Sequence, residues 1–395
     1  MRPLRIAMLT YSLRPRGGVV HALEISEALA RRGHEVELIA LGPPGDGFFR
    51  APSVPSRIVR YRPIDGPFDK RIMAMLAAYR DGLAEPLALG RFDLIHSQDC
   101  LSANAALELR DAGVVPHVIR TVHHIDDFTS PSLIECQDRS ILRPDALLCV
   151  SEPWVARLRD EFGMHAELVC NGVDRDRYRP AWDVAERQRA RDRFEFGERF
   201  TVLTIGGIEP RKGSLTLLEG FAKLRALAPE LDPLLVVAGG ATLFDYRHEV
   251  DRFHARVAEL GVHEGVRVLG SLPDEDIESL YRAADAFAFP STKEGFGLAA
   301  LEALASGLPV VASALDEFSA YMSDGVSALL VPVGDGDALG AALARVARSP
   351  EIRALLRSAG LGVAAEHTWD RAALAHERVY GKLLASLDAV GTGSA

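Results

Sequence analysis

Two observations predict an α/β chain of two Rossmann-like, doubly wound parallel-sheet domains. Short apolar runs alternate with helix-length amphipathic stretches, and the same alternation restarts near residue 200. Size agrees with two domains. The chain has 395 residues, 48% of them hydrophobic and 25% charged, which is more than one hydrophobic core usually organises.

The first half opens with an apolar run at 4–11. A helix is expected over 19–32, with Ala22, Leu23, Ile25, Ala28 and Leu29 on one face and Gly33 ending it, and Val36, Leu38 and Ala40 then alternate as a strand. The spacing goes on to predict strands at 92–96, 118–122, 146–150 and 166–170, with helices near 102–112 and 154–162 between them. The segment from Arg57 to Met75 mixes Arg57, Arg60, Arg62, Lys70 and Arg71 with Tyr61, Phe68, Ile72 and Met73. It reads as a solvated loop and helix face, and contact with anionic lipid is the alternative.

A charged stretch at 175–199 is the expected linker between a first domain of residues 1–174 and a second of residues 200–366. Strand candidates in the second domain are 201–205, 234–238, 266–269, 286–289, 310–312 and 328–331. A final helix at 367–390 spaces Leu374, Val379, Leu383, Leu384 and Leu387, and either caps the second domain or crosses back to the first. The small residues 391–395 are expected to fray.

Composition excludes some functions. A net charge of −10 argues against tight nucleic-acid binding, which clustered positive charge drives. Cys100, Cys136, Cys149 and Cys170 show no metal or redox spacing and read as small core residues of a reducing compartment. The apolar run after Met1 is too short for a signal peptide or a membrane span, so a cytoplasmic protein with at most peripheral membrane contact is expected.

Open parallel sheets bind ligands beyond the carboxyl ends of their strands, so chemistry is sought on the loops there. The stretch Thr292-Lys293-Glu294-Gly295-Phe296-Gly297-Leu298 follows a strand and opens a helix, whose first amides suit an anion. Glu294 and Glu302 bracket that start, about 12 Å apart if the segment is wholly helical. Carboxylates accept hydrogen bonds from sugar diols, which places Glu294 on a transferred sugar and Glu302 on a ribose. The plainer alternatives are a first-turn acid for Glu294 and an exposed helix residue for Glu302.

Gly206-Gly207-Ile208-Glu209-Pro210-Arg211-Lys212-Gly213 follows the first strand of the second domain. Arg211 and Lys212 there can hold a diphosphate or serve only as solvated surface cations. In the first half, the Gly17-Gly18-Val19 loop allows backbone approach to a ligand, and His123 in Thr121-Val122-His123-His124-Ile125-Asp126-Asp127 ends a strand. That run and the triplets Asp174/Asp176, Asp274/Asp276 and Asp335/Asp337 could hold a metal. The last two precede helices and read as caps, so no metal and no cofactor is expected.

Taken together these motifs resemble the retaining nucleotide-sugar glycosyltransferases of family four, which have the GT-B architecture of two Rossmann-like domains facing a cleft. The likeness runs from Gly17-Gly18-Val19 through Gly33-His34-Glu35-Val36, Asn171-Gly172-Val173-Asp174, Lys212-Gly213 and the Glu294/Glu302 pair to Trp369 and Tyr380. It implies transfer of a hexose-type sugar from a UDP-, GDP- or ADP-linked donor to a sugar or lipid-linked acceptor, with retention and without a metal. It also implies that Lys212 meets the diphosphate, that the amides of Phe296, Gly297 and Leu298 line the donor site, that His123 lies near the reacting carbon, and that the final helix returns to the first domain. The family usually carries Arg directly after the phosphate-loop glycine; here that residue is Gly207, and Arg211 would supply the charge.

A nicotinamide oxidoreductase is disfavoured, because the first turn lacks Gly-x-Gly-x-x-Gly and no acid ends the second strand at Leu41-Gly42. A nucleotide-sugar epimerase, a sugar phosphorylase and a non-catalytic sugar-nucleotide-binding protein are the closer alternatives.

Overall fold

A computed structural model describes residues 2–240 and 246–392, and side chains as far as residue 386. The chain divides into two compact units, one made of residues 1–171 with 369–395, the other of residues 172–368.

The first unit runs β1 (Arg5–Thr10), α1 (Gly17–Arg31), β2 (Glu35–Gly42), β3 (Ser56–Arg60), α2 (Phe68–Gly90), β4 (Leu94–Ser97), α3 (Cys100–Asp111), β5 (Val118–Val122), α4 (Pro131–Leu142), β6 (Ala146–Cys149), α5 (Glu152–Phe162) and β7 (Ala166–Leu168). Its seven strands pair in the order β3-β2-β1-β4-β5-β6-β7, every pair parallel. Helices cover both faces of such a sheet, which is why the inner strands β4 and β5 are buried along their whole length. On one side Trp154 and Leu158 of α5 pack with Val122, Leu147 and Cys149 of the strands.

The stretch read as a loop and helix face holds the edge strand β3 and the start of α2. β3 pairs with β2 from Ser56 to Arg60, yet only Val59 is buried, and Arg57 pairs outward with Glu37 at 2.9 Å. An edge strand carrying two arginines has little alternation to read.

The second unit runs α6 (Val184–Arg193), β8 (Thr201–Ile205), α7 (Ser214–Leu227), β9 (Leu234–Ala238), α8 (Arg247–Glu259), β10 (Val266–Gly270), α9 (Asp274–Ala283), β11 (Ala286–Phe289), α10 (Leu298–Ala305), β12 (Val310–Ser313), α11 (Asp316–Ser319), β13 (Leu329–Val331), α12 (Gly336–Arg348) and α13 (Pro350–Glu366). Its six parallel strands are ordered β10-β9-β8-β11-β12-β13. Leu217, Leu218, Phe221 and Leu224 of α7 form a core with Val202, Leu235 and Val237 of the sheet and Leu339 and Leu343 of α12.

The stretch expected as a linker is part of this unit. Asp183 caps α6 by accepting from the Glu186 amide, Arg187 and Arg191 pair with Asp285, and Arg179 pairs with Glu186. Alternating charge there marks ion pairs to the body of the unit and not a solvated connector.

The last helix, α14 (Trp369–Thr392), belongs to the first unit and lies against α1, where Arg32 bonds Glu377 at 2.7 Å and Arg31 pairs with Asp370. Its buried stripe is Trp369, Ala372, Ala373, His376, Val379 and Tyr380, while Leu374 is 38% exposed. Of the expected stripe, Val379 is buried, Leu383 and Leu384 are half-buried and Leu374 is exposed, and the rest of the buried face is aromatic, small and polar. The Leu387 side chain and residues 393–395 of the tail lie outside the described residues. Among the described residues no helix is long and apolar enough to cross a membrane.

Candidate functional site

In the second unit, β8 and β11 are neighbours in the sheet, so the loops leaving their carboxyl ends run side by side. The first loop closes through the 3-10 turn Pro210–Lys212, and Gly213 follows with φ +64°. A Cβ at Gly213 would stand 2.0 Å from the Pro290 carbonyl oxygen, so only glycine lets the loops approach this closely. The Thr292 amide donates to the Arg211 carbonyl at 2.8 Å and ties them together.

This contact brings Lys212 to Glu294. The ammonium donates to Glu294 Oε1 at 2.5 Å and lies 4.5 Å from the centre of the Phe289 ring. Ser291 Oγ donates to the same carboxylate oxygen at 2.9 Å. Burial raises the Glu294 carboxyl, but the Lys212 and Arg211 cations and these hydrogen bonds outweigh it and hold the group below its ordinary value. Burial also lowers Lys212, and Glu294 opposes that shift.

Arg211 is 41% exposed along its side chain, bonds Glu209 at 3.1 Å and lies 3.6 Å from Glu294. Two cations and two acids thus share one loop pair. Gly207 is half-buried in the same loop, directly after Gly206, whose φ is +148°.

Glu294 is not a first-turn acid. The backbone is irregular through Gly295 and Phe296, Gly297 turns left-handed at φ +92°, and α10 begins at Leu298 with no side-chain cap. A helix start without a cap leaves amides for an outside acceptor. A Cβ on Gly297 would stand 2.4 Å from the Phe318 ring. Phe296 is buried and stacks on Tyr321 at 4.9 Å, and the Tyr321 hydroxyl donates to the Phe296 carbonyl at 3.2 Å. Glu302 is half-buried on α10 and accepts from the Tyr281 hydroxyl at 2.9 Å, so its carboxylate has a fixed partner.

In the first unit, Gly17 opens α1 and Gly18 abuts His123: a Cβ at Gly18 would stand 3.2 Å from the His123 ring. His123 leaves the end of β5, and its Nε2 donates to Gln98 Oε1 at 2.9 Å, while the Gln98 amide donates to Met8 Sδ. That arrangement puts the ring proton on Nε2 and leaves Nδ1 an acceptor. His21 lies edge-on at 4.8 Å, and burial holds His123 well below its ordinary pKa, hence neutral.

The structure thus gathers Gly17, Gly18 and His123 in one unit and Gly207, Arg211, Lys212, Glu294, Gly295, Phe296, Gly297, Leu298 and Glu302 in the other. Sequence reading missed Gln98, although a polar residue just after β4 occupies the position where ligand chemistry is expected. It also missed Ser291, Tyr281 and Tyr321, and the tyrosines carry no local signal.

The acidic triplets do other work. Asp335 caps α12 as expected, accepting from the Ala338 amide. Asp274 is not a cap: it pairs with Arg177 at 2.7 Å, and Asp276 pairs with Arg193. Asp174 accepts from the Asp176 amide in its own turn.

Two family models match the chain. Residues 15–177 match Glycosyltransferase Family 4, and residues 186–361 match Glycosyl transferases group 1. The chain is 31% identical to the D-inositol 3-phosphate glycosyltransferase of Saccharomonospora viridis, over 97% of this chain and 95% of that one. It is 30% identical to the protein of the same name from Salinispora tropica, over 97% and 86%. Among solved structures, sucrose-phosphate synthase of Thermosynechococcus elongatus superposes with TM-score 0.82 at 23% identity, covering 97% of this chain and all of that one. Anabaena HepE, solved with UDP and glucose, superposes with TM-score 0.79 at 19% identity, over 96% and 99%. At such identities the likeness to these structures shows the fold, two Rossmann-like parallel-sheet domains of the GT-B type.

Proposed function

Because the chain belongs to glycosyltransferase family 4 and carries the GT-B fold, transferring sugar from a nucleoside-diphosphate donor, we propose that it is a retaining, metal-independent hexosyltransferase whose donor is held by the second unit. One observation carries this reading: the Lys212–Glu294 pair, formed where the loops after β8 and β11 are locked together at the carboxyl edge of the sheet.

Transfer builds negative charge on the departing diphosphate. Lys212, with Arg211 beside it, neutralises that charge as the glycosidic bond breaks. Amides of Phe296, Gly297 and Leu298 add dipoles of the same sense. Glu294 accepts hydrogen bonds from the sugar hydroxyls, and Glu302, held by Tyr281, accepts from the ribose. His123, which the family resemblance implies for the neighbourhood of a reacting sugar carbon, is neutral and directs its Nε2 proton to Gln98.

The bases to compare are uridine, guanosine and adenosine. D-inositol 3-phosphate is the first acceptor to try, since the two relatives are named for it. The test offers UDP-, GDP- and ADP-linked hexoses with an acceptor panel containing D-inositol 3-phosphate and reads product by mass and by anomeric configuration. An α-linked product from an α-linked donor, unaffected by chelator, is expected. An inverted product, or loss with chelator that magnesium or manganese restores, contradicts the reading.

A further inference from the structure

Cys100 and Cys136 lie far apart in sequence, yet α3 and α4 bring them together. The Asn104 amide nitrogen donates to the Cys100 carbonyl at 2.8 Å, to the Cys136 carbonyl at 2.7 Å and to the Cys136 sulfur at 3.3 Å. One nitrogen reaching both carbonyls and the Cys136 sulfur holds the two backbones side by side and sets that sulfur against the first turn of α3. Both cysteines are free thiols, Cys136 buried and Cys100 half-buried.

A second feature favours reaction. Arg120 is buried, its charge acts on both sulfurs, and its guanidinium bonds the Ser140 hydroxyl and the Gln137 carbonyl. A buried cation of this kind favours a thiolate next to it. The hydrogen bond from Cys100 and the Arg120 charge hold the Cys136 thiol below its ordinary value against burial, while the Asp99 carboxylate pulls the other way.

The geometry points to a covalent modification site: Cys100 and Cys136 form a reversible disulfide, joining the start of α3 to α4, when the protein meets a peroxide. The Cys136 sulfur attacks hydrogen peroxide, so that an S–O bond forms, the O–O bond breaks and water leaves once the departing hydroxide is protonated. The Cys100 sulfur then attacks the sulfenic sulfur, the S–S bond forms, the S–O bond breaks and a second water leaves. Two thiols lose two electrons and one peroxide is reduced. Gln137, next to Cys136, holds the segment after His123 through the Asp126 amide and carbonyl, so the bond would form beside a segment that the proposed chemistry uses.

The test treats the full chain with hydrogen peroxide and titrates thiols after denaturation. Reactive thiols should fall from four to two, the mass should fall by about 2 Da, and digestion should yield one linked peptide joining Cys100 to Cys136 that dithiothreitol separates. Cys100→Ser should form no such link, while Cys149→Ser should form it as the wild type does. Four surviving thiols overturn the assignment. So do gains of about 16 or 32 Da without a link, or a link through Cys149 or Cys170. None of these readings depends on sugar transfer.

Discussion

Lys212 and Glu294 form a buried ion pair whose partners come from different loops, so each substitution acts on both charge and fold. Removing one partner of a fully buried pair costs about 3–5 kcal/mol, and less here, because the Lys212 side chain is 16% exposed and Arg211 also lies 3.6 Å from Glu294. Glu294→Ala should therefore lose both activity and stability. Glu294→Gln, which keeps the shape and a hydrogen-bond acceptor for Lys212, should lose activity with a smaller stability change. Initial rates and urea denaturation of both variants separate the two effects; wild-type rates in Glu294→Gln would remove that carboxylate from the mechanism. Gly213→Ala should be as damaging without touching any charge, since its methyl group meets the Pro290 carbonyl. The expected outcome is a lower melting temperature together with weakened donor binding. Of these residues, Lys212, Glu294 and the glycines were legible because charge and glycine stand in fixed relation to strand ends. Tyr281 was not, because it acts through Glu302, a partner that only folding brings near, and Ser291 was not, because a serine three residues before an acid carries no distinctive signal.

The elements most open to test are α14 and the histidines it covers. His21, His96 and His376 are fully buried and His123 half-buried, and burial lowers all four, His21 to about 3 and His376 to about 4. The unfolded chain takes up protons on these rings below pH 6.5, whereas the folded chain does so only at much lower pH. Their contribution is thus present above pH 6.5 and is lost as pH falls toward 4, by up to about 1.4 kcal/mol per pH unit for each ring. Denaturant titrations at pH 7.5, 6 and 5 should show steadily falling stability of the first unit, and a flat profile would contradict neutral burial. Deleting residues 369–395 removes His376 and the hydroxyl of Tyr380 that meets His96 at 2.7 Å. The first unit should then fail to melt cooperatively. The helix itself was legible from apolar spacing; the N-terminal part of its buried face was not, because Trp369, His376 and Tyr380 do not look like a core stripe.

At the scale of the whole molecule, the alternation of strands and helices was enough to read two doubly wound units, since parallel sheets leave continuous apolar runs. β3 is not legible because it lies at a sheet edge, and α6 reads as a linker because its arginines look solvated until Asp285 is in place. The pairing of Cys100 with Cys136 was invisible for the same reason as the tyrosine contacts. If the second unit holds the donor, a nucleoside diphosphate should slow amide exchange most strongly over residues 206–213 and 290–302. Ligand at a hundred times its dissociation constant should stabilise the chain by about 2.7 kcal/mol. The most direct measurement is calorimetric titration of UDP, GDP and ADP into the wild type and into Lys212→Ala, with folding of the variant checked by circular dichroism. One of the three should bind the wild type, and the variant should bind it at least about thirtyfold more weakly; equal affinity in a folded variant would remove Lys212 from the donor site.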